Sequence, residues 1–176
     1  PHHSLDVAAC AFELAPILPP PTPLGAASVA ALVALHDVGK FTRSFQAKVE
    51  TLWPEALLGR LERRPGPPHD EAGYVLLTHA LEDALAPLFV RWERGANGPL
   101  LRALAGHHGR PPRTPHDLEL PRHVACPACL SAARAFIAAA YGVIAPEPLP
   151  PMAEEEIHAL AWWLAGFTPL ADWVGS

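Results

Sequence analysis

Apolar positions recur with helical spacing along most of this chain. Alanine- and leucine-rich stretches cover residues 3–15, 26–38, 42–52, 70–88, 98–107, 123–141, 153–166 and 169–175, and each predicts a helix. Period-two alternation rich in Val, Ile and Thr, the mark of a half-buried strand, is almost absent. Prolines gather between the helical stretches, in "PILPPPTP" at 16–23, "RPGPPH" at 64–69, "GRPPRTP" at 109–115 and "PEPLPP" at 146–151. Proline fixes φ and lacks a backbone donor, so it punctuates helices. No internal repeat is visible, and each helical piece is too short to enclose a core of its own. The pattern therefore predicts an all-α fold, a single globular helical bundle spanning residues 1–176.

Composition narrows the function. Half the residues are hydrophobic, yet no run free of charge and proline reaches the roughly 20 residues needed to cross a bilayer. No membrane partner is expected. Net charge is −5, with 13 Lys and Arg against 18 Asp and Glu, which argues against tight non-specific binding to phosphates. Nuclease chemistry stays open, because bound divalent cations bring positive charge to the place where phosphate arrives. Three cysteines in 176 residues make no disulfide framework and fit a reducing, cytoplasmic location.

Ten histidines are the oddity, and their placement matters more than their number. "HHSLDVAA" puts His3 near the start of a helix, and "ALHDVGKF" sets His36 and Asp37 at the end of an apolar one. "PPHDEAG" places His69 at a helix start, "LAGHHGRPP" places His107 and His108 between Gly106 and Gly109, and "LADWVGS" carries Asp172 in the final helix. Ionisable groups on such an apolar frame are costly to bury unless they pair or coordinate a metal. Imidazole and carboxylate are the ligands of divalent metals in hydrolytic sites, and helix ends let remote segments converge. Singly, each has an ordinary structural explanation; the order in which they occur is what carries weight.

That order, with "HSLDVAA", "LHDVGKFTRSFQ", "AGHHG" and "LADWVGS", resembles the HD-type metal-dependent phosphohydrolases. Within them it resembles the HD nuclease domain of the CRISPR-associated nuclease–helicase of type I interference systems. The likeness covers nearly the whole chain, is looser at "PHDEAG", and is absent over residues 116–130. In the first motif His3 matches rather than His2, since it lies three residues before Asp6. The resemblance implies a metal centre that cuts single-stranded DNA. His3, His36, Asp37 and Asp172 would hold one ion; Asp37, His69, His107 and His108 would hold a second, with Asp37 bridging. Paired ions lower the pKa of a shared water and clamp the attacking and leaving oxygens. Five imidazoles and two carboxylates favour manganese, iron, cobalt or nickel over magnesium, with one or two ions per domain.

Further residues follow from position. Lys40, three residues after the His–Asp pair, would contact the scissile phosphate; the alternative is a surface lysine at a helix C-terminus, where cations are favoured. Arg110 and Arg113 would guide the DNA backbone, or else are solvated loop residues, and Ser176 matches the serine of the family motif. "VGK" is no phosphate-binding loop, because Ala34 replaces its leading glycine and Phe41 its Ser/Thr. The resemblance also implies an ATP-dependent helicase, fused downstream or separate, and recruitment by an RNA-guided surveillance complex. Two other functions use the same residues: hydrolysis of nucleotides or cyclic dinucleotides, and a non-catalytic metal-binding partner module.

Three features lie outside this scheme. "HVACPAC" groups His123, Cys126 and Cys129, with His116 upstream, as a zinc site, a redox pair or core packing; small cysteines at i, i+3 favour packing. Trp162, Trp163 and Trp173 could stack on bases, but their apolar helix favours the core. His79 and His158 sit among ordinary helix residues and are expected to be structural or exposed.

Overall fold

The uncharged octapeptide AASVAALV forms the second helix, α2 (Ala26–Val33), and six of its residues are buried. A helix that is apolar on every side is stable only inside a structure. In the computed structural model, which describes residues 2–113, 120 and 124–176, neighbouring helices wrap it accordingly. Helix α1 (His2–Leu14) packs on α2 and on α9 (Glu154–Val174), and α9 in turn packs on α7 (Gly98–Ala105). Helix α8 (Pro127–Ile144) also lies against α2, while α5 (His69–Val75) rests on a 3-10 turn at Val38–Phe41 and on α7. Three short helices, α3 (Arg43–Gln46), α4 (Glu55–Leu58) and α6 (Glu82–Leu85), complete the set; no strand occurs among the described residues. The core is dominated by leucine: Leu32, Leu35, Leu76, Leu81, Leu100, Leu104 and Leu160 are all essentially inaccessible. Each such side chain contributes about 1.5–3 kcal/mol of burial.

The all-α expectation holds, and the departures are local. The helix expected over 26–38 stops at Val33, because the next amides switch to shorter bonds: Leu35 N–H to Leu32 O, His36 N–H to Val33 O and Val38 N–H to Leu35 O, each at 3.1 Å. The stretch 42–52 divides into α3 and a 3-10 turn at Glu50–Leu52, and α4 follows where no helix was expected. Within 70–88 a five-residue π turn, Leu76–Ala80, separates α5 from α6. Its wider step, closed by Leu81 N–H to Leu76 O at 2.9 Å, lets Leu76, Leu77, Leu81, Leu85 and Leu88 all reach the core. The helix expected over 123–141 runs from Pro127 to Ile144, with residue 123 outside the described residues. By length and composition α8 could cross a membrane, but it carries Arg134, bonded to Asp83, and packs Ala133, Phe136, Ile137 and Ala140 inward.

The largest correction concerns the C-terminus. Two helices, 153–166 and 169–175, were expected on either side of Pro169; instead α9 runs through the proline. Proline removes one helix bond, but Leu160, Leu164, Phe167 and Ala171 form one buried stripe that spans it. Packing along that stripe outweighs the missing bond and carries Asp172 on the same rod. Gly166, on the exposed side of α9, has nothing within 4 Å of where a Cβ would stand. Gly166→Ala is expected to stabilise the fold by about 0.5–1 kcal/mol, read as a melting temperature higher by about 1–4 °C.

Candidate metal centre

The turn that ends α2 builds the centre. As the helix tightens, Val33 O accepts from the His36 amide at 3.1 Å and from His36 Nδ1 at 2.8 Å. A carbonyl can only accept, so Nδ1 carries the proton and Nε2 presents its lone pair. The end of α7 repeats the device: His107 Nδ1 donates to Leu104 O at 3.1 Å. Two buried imidazoles are thereby locked in the tautomer that leaves Nε2 free for a cation.

Asp37 stands between them, with φ −106° and ψ 14°, in the sparsely populated bridge region where many active-site residues sit. Its carboxylate is almost wholly buried, at 1% exposure. Oδ2 faces His3 Nε2 at 3.4 Å, His36 Nε2 at 3.3 Å and the Lys40 ammonium, which touches it. Oδ1 faces His69 Nε2 at 3.3 Å and His107 Nε2 at 3.6 Å. Asp172 Oδ1 joins the first side, 3.0 Å from His3 Nε2 and 3.6 Å from His36 Nε2. His108 joins the second, its Nε2 facing His69 Nε2 at 3.0 Å. All seven residues expected at a metal site are thus brought together, from α1, the turn after α2, α5, the end of α7 and α9. Three overlapping triads within the cluster have donor atoms inside 4.8 Å of one another: His69–His107–His108, His3–His36–Asp37 and His36–His107–Asp172.

The chemistry of this donor set fits a cation. His36 Nε2 and both Asp37 oxygens are buried without a properly directed hydrogen bond among the described residues. A lone pair on Nε2 facing a carboxylate oxygen is repulsive unless something positive lies between, and a divalent ion would satisfy all three atoms at once. Burial by itself would raise the Asp37 pKa. The polar contacts from His36 and His69 and the ammonium of Lys40 outweigh it and hold the carboxyl well below the usual carboxylate range. Burial pushes His107 down to about 4, so this imidazole stays neutral and able to ligate at physiological pH.

Two close backbone approaches, which the polar pattern did not flag, set these positions. Gly39 lies directly on α5: a Cβ there would stand 1.7 Å from His69 O and 2.7 Å from Gly73 N. Gly175 lies on α1, where a Cβ would stand 2.9 Å from Val7 Cα, which brings the end of α9 and Asp172 to His3. The signal available in the sequence was a glycine two residues after Asp37 and another four after His69. The 38–41 turn is also pinned by Thr42 Oγ1 donating to Gly39 O at 2.8 Å and Gln46 Nε2 to Lys40 O at 2.7 Å.

A cleft of about 230 Å3 opens on Asp37, lined by His3, Ser4, Lys40, Phe41, Phe45 and Gln46. Phe45 meets the His69 ring edge-on at 5.2 Å. Two roomier grooves, of about 500 and 550 Å3, contain no member of the cluster. Of the remaining expected site residues, Arg110 is exposed and lines one of those grooves with Trp162, and Arg113 is exposed. Ser176 Oγ donates to Asp172 O at 2.6 Å and so closes the end of α9. Trp162 and Trp173 are more than four-fifths exposed, against the expectation of core packing, whereas Trp163 stacks on Phe167 at 4.1 Å. His79 and His158 are exposed. Cys129 is buried but Cys126 is partly exposed; His116 and His123 lie outside the described residues.

A helical bundle that gathers four further imidazoles around a buried His–Asp pair defines the HD class of domain, with a cluster that could hold a metal. The family model described as "Cas3, HD domain" matches residues 1–176, and the chain belongs to that CRISPR-related HD nuclease family. Solved structures share the fold at low identity. One described as a CRISPR-associated protein has a TM-score of 0.70 and 22% identity, covering 99% of this chain and 21% of that one. T. fusca Cas3 gives 0.66 and 23%, covering 99% of this chain and 20% of that one. A chain of a CRISPR RNA-guided surveillance complex, pre-nicking, gives 0.67 and 23%, covering 98% and 22%. The chain thus spans about a fifth of the length of these structures. No curated protein matches the sequence.

Proposed function

We propose that this chain is a metal-dependent endonuclease domain that hydrolyses phosphodiester bonds of single-stranded DNA in CRISPR interference. The observation that carries the reading is the Asp37 carboxylate, buried with both oxygens lacking directed partners and ringed by imidazole Nε2 atoms. His3, His36, Asp37 and Asp172 would hold one ion and Asp37, His69, His107 and His108 a second. The two faces of Asp37 support that division, Oδ2 toward the first group and Oδ1 toward the second. A bound divalent ion supplies Lewis acidity, lowering the pKa of water and offsetting charge on phosphoryl oxygens.

The rest falls to the protein. Asp37 stays ionised, and His36 and His107 are held in their ligating tautomers by backbone carbonyls. Lys40 neutralises Asp37 Oδ2 here, and its partly exposed ammonium, on the wall of the cleft, would contact a phosphate oxygen of the substrate. Phe41 and Phe45 offer apolar walls to a single-stranded segment. Arg110 and Arg113, exposed beyond the double histidine, would contact the DNA backbone farther along, and Ser176 steadies Asp172. The likeness to Cas3 and to a surveillance complex supports a cytoplasmic setting, a helicase on the same or another chain, and delivery of DNA by an RNA-guided complex.

The test is metal-stripped protein given circular single-stranded DNA, nucleotides or cyclic dinucleotides, with each divalent ion in turn. Opening of the circle with manganese, cobalt, nickel or iron and little activity with magnesium is the expected result. Turnover of nucleotides with intact circles would move the assignment to a nucleotide phosphohydrolase. Metal binding with no turnover of any phosphodiester would leave only a partner module.

A further inference from the structure

The sequence Cys126-Pro127-Ala128-Cys129 opens α8, and its two sulfurs are in direct contact at 2.8 Å. Cys126 is the N-cap residue, and its Sγ accepts the Cys129 amide at 3.3 Å. Pro127 follows at the first helical position, where its fixed φ suits the turn and its missing N–H costs no helix bond. The two thiols are unequal. Cys126 is partly exposed and Cys129 is buried. Arg43 adds positive charge, and its amide holds the preceding loop by donating to Val124 O at 2.8 Å. Core packing accounts for Cys129 but not for a partly exposed cysteine whose sulfur is held against a buried one.

We infer that Cys126 and Cys129 form a dithiol site that exchanges with disulfides, Cys126 attacking and Cys129 resolving. Burial acts to raise the Cys126 pKa, but hydrogen bonds from the Cys129 thiol and from the amides of Cys129 and Ala128, with the Arg43 charge, outweigh it and leave Cys126 below the ordinary thiol value. Burial, with the bond to Cys126, pushes Cys129 up to about 11. The attacking group is thus the thiolate that solvent can reach. Cys126 displaces one thiolate from an incoming disulfide and forms a mixed disulfide. Cys129 then loses its proton, attacks the Cys126 sulfur and releases the second thiol. Two electrons and two protons pass to the incoming disulfide, which leaves as two thiols. A small side-chain rotation brings the sulfurs from contact to bond.

The test uses the full chain, both as purified and after chelator treatment, equilibrated in glutathione buffers of rising disulfide fraction, then acid-quenched, alkylated and weighed. Wild type is expected to lose two hydrogens in one step, with Cys126 linked to Cys129 and Cys10 alkylated. Cys129→Ser should accumulate a glutathione adduct at Cys126, whereas Cys126→Ser should react at Cys129 at least about tenfold more slowly. Persistent adducts on wild type, equal reactivity of the two variants, or zinc held by the sulfurs that blocks oxidation until chelated would each overturn the inference. If a serine variant fails to fold, the wild-type titration alone decides. None of these readouts depends on nuclease activity.

Discussion

Asp37→Asn is expected to abolish both divalent-metal binding and DNA cleavage while leaving a folded domain. The amide keeps the shape of the carboxylate but loses its charge, and its nitrogen cannot ligate. Because Asp37 alone presents an oxygen to each half of the cluster, this one change removes the carboxylate that both halves share. Binding to the native state alone stabilises wild type by about 2.7 kcal/mol at a hundredfold excess over the dissociation constant. For a domain of this size that is a melting temperature higher by about 5–11 °C. Wild type should show this shift with manganese, and Asp37→Asn should show almost none. Cleavage should fall by more than about a thousandfold, because the uncatalysed alternative is attack by water near its bulk pKa. Cooperative melting of the chelated variant separates loss of metal from loss of fold. A variant that shifts like wild type, or still opens circular DNA, would end the assignment of Asp37 as the shared ligand.

The candidate cluster was legible because polar side chains on an apolar helix are conspicuous. His36 and Asp37 break the run after Leu35, and the paired histidines interrupt an alanine–leucine helix between two glycines. What pattern could not supply was the backbone geometry that makes them meet. The early end of α2 leaves Val33 O to the His36 amide and ring together, and periodicity is blind to such a bond. Pro169 reads as a stop, yet buried stripes on both sides of it hold α9 in one piece, and only the assembled core decides between local propensity and packing. Trp162 and Trp173 misled for a related reason. Apolar neighbours suggested burial, but helical phase points both to the face opposite Leu160, Leu164 and Ala171. Short helices such as α4 carry too few residues for any period to show.

Gly39→Ala is the sharper test of that backbone geometry, because it alters no ligand. The added methyl would stand 1.7 Å from His69 O and 2.7 Å from both His69 C and Gly73 N. All three are backbone atoms, so no side chain can rotate away; α5 and the 38–41 turn must separate by roughly an ångström or more, whereas ligand distances tolerate only about 0.2 Å. His69 rides on the first residue of α5, and its Nε2 sits 3.3 Å from Asp37 Oδ1. The separation therefore draws His69 away from the carboxylate it shares with His107. Overpacking of this kind costs about 1–3 kcal/mol, a melting temperature lower by about 2–12 °C. Metal affinity, measured by calorimetric titration, should fall by about 10–100-fold, as it does when the support of a ligand is disturbed. Gly98→Ala, at the start of α7 with nothing within 4 Å of its new methyl, serves as the control; it should leave metal affinity unchanged and should not lower the melting temperature. If Gly39→Ala melts and titrates like that control, the contact between turn and helix does not set the ligand geometry, and His69 must be held by something other than the approach of these two glycines.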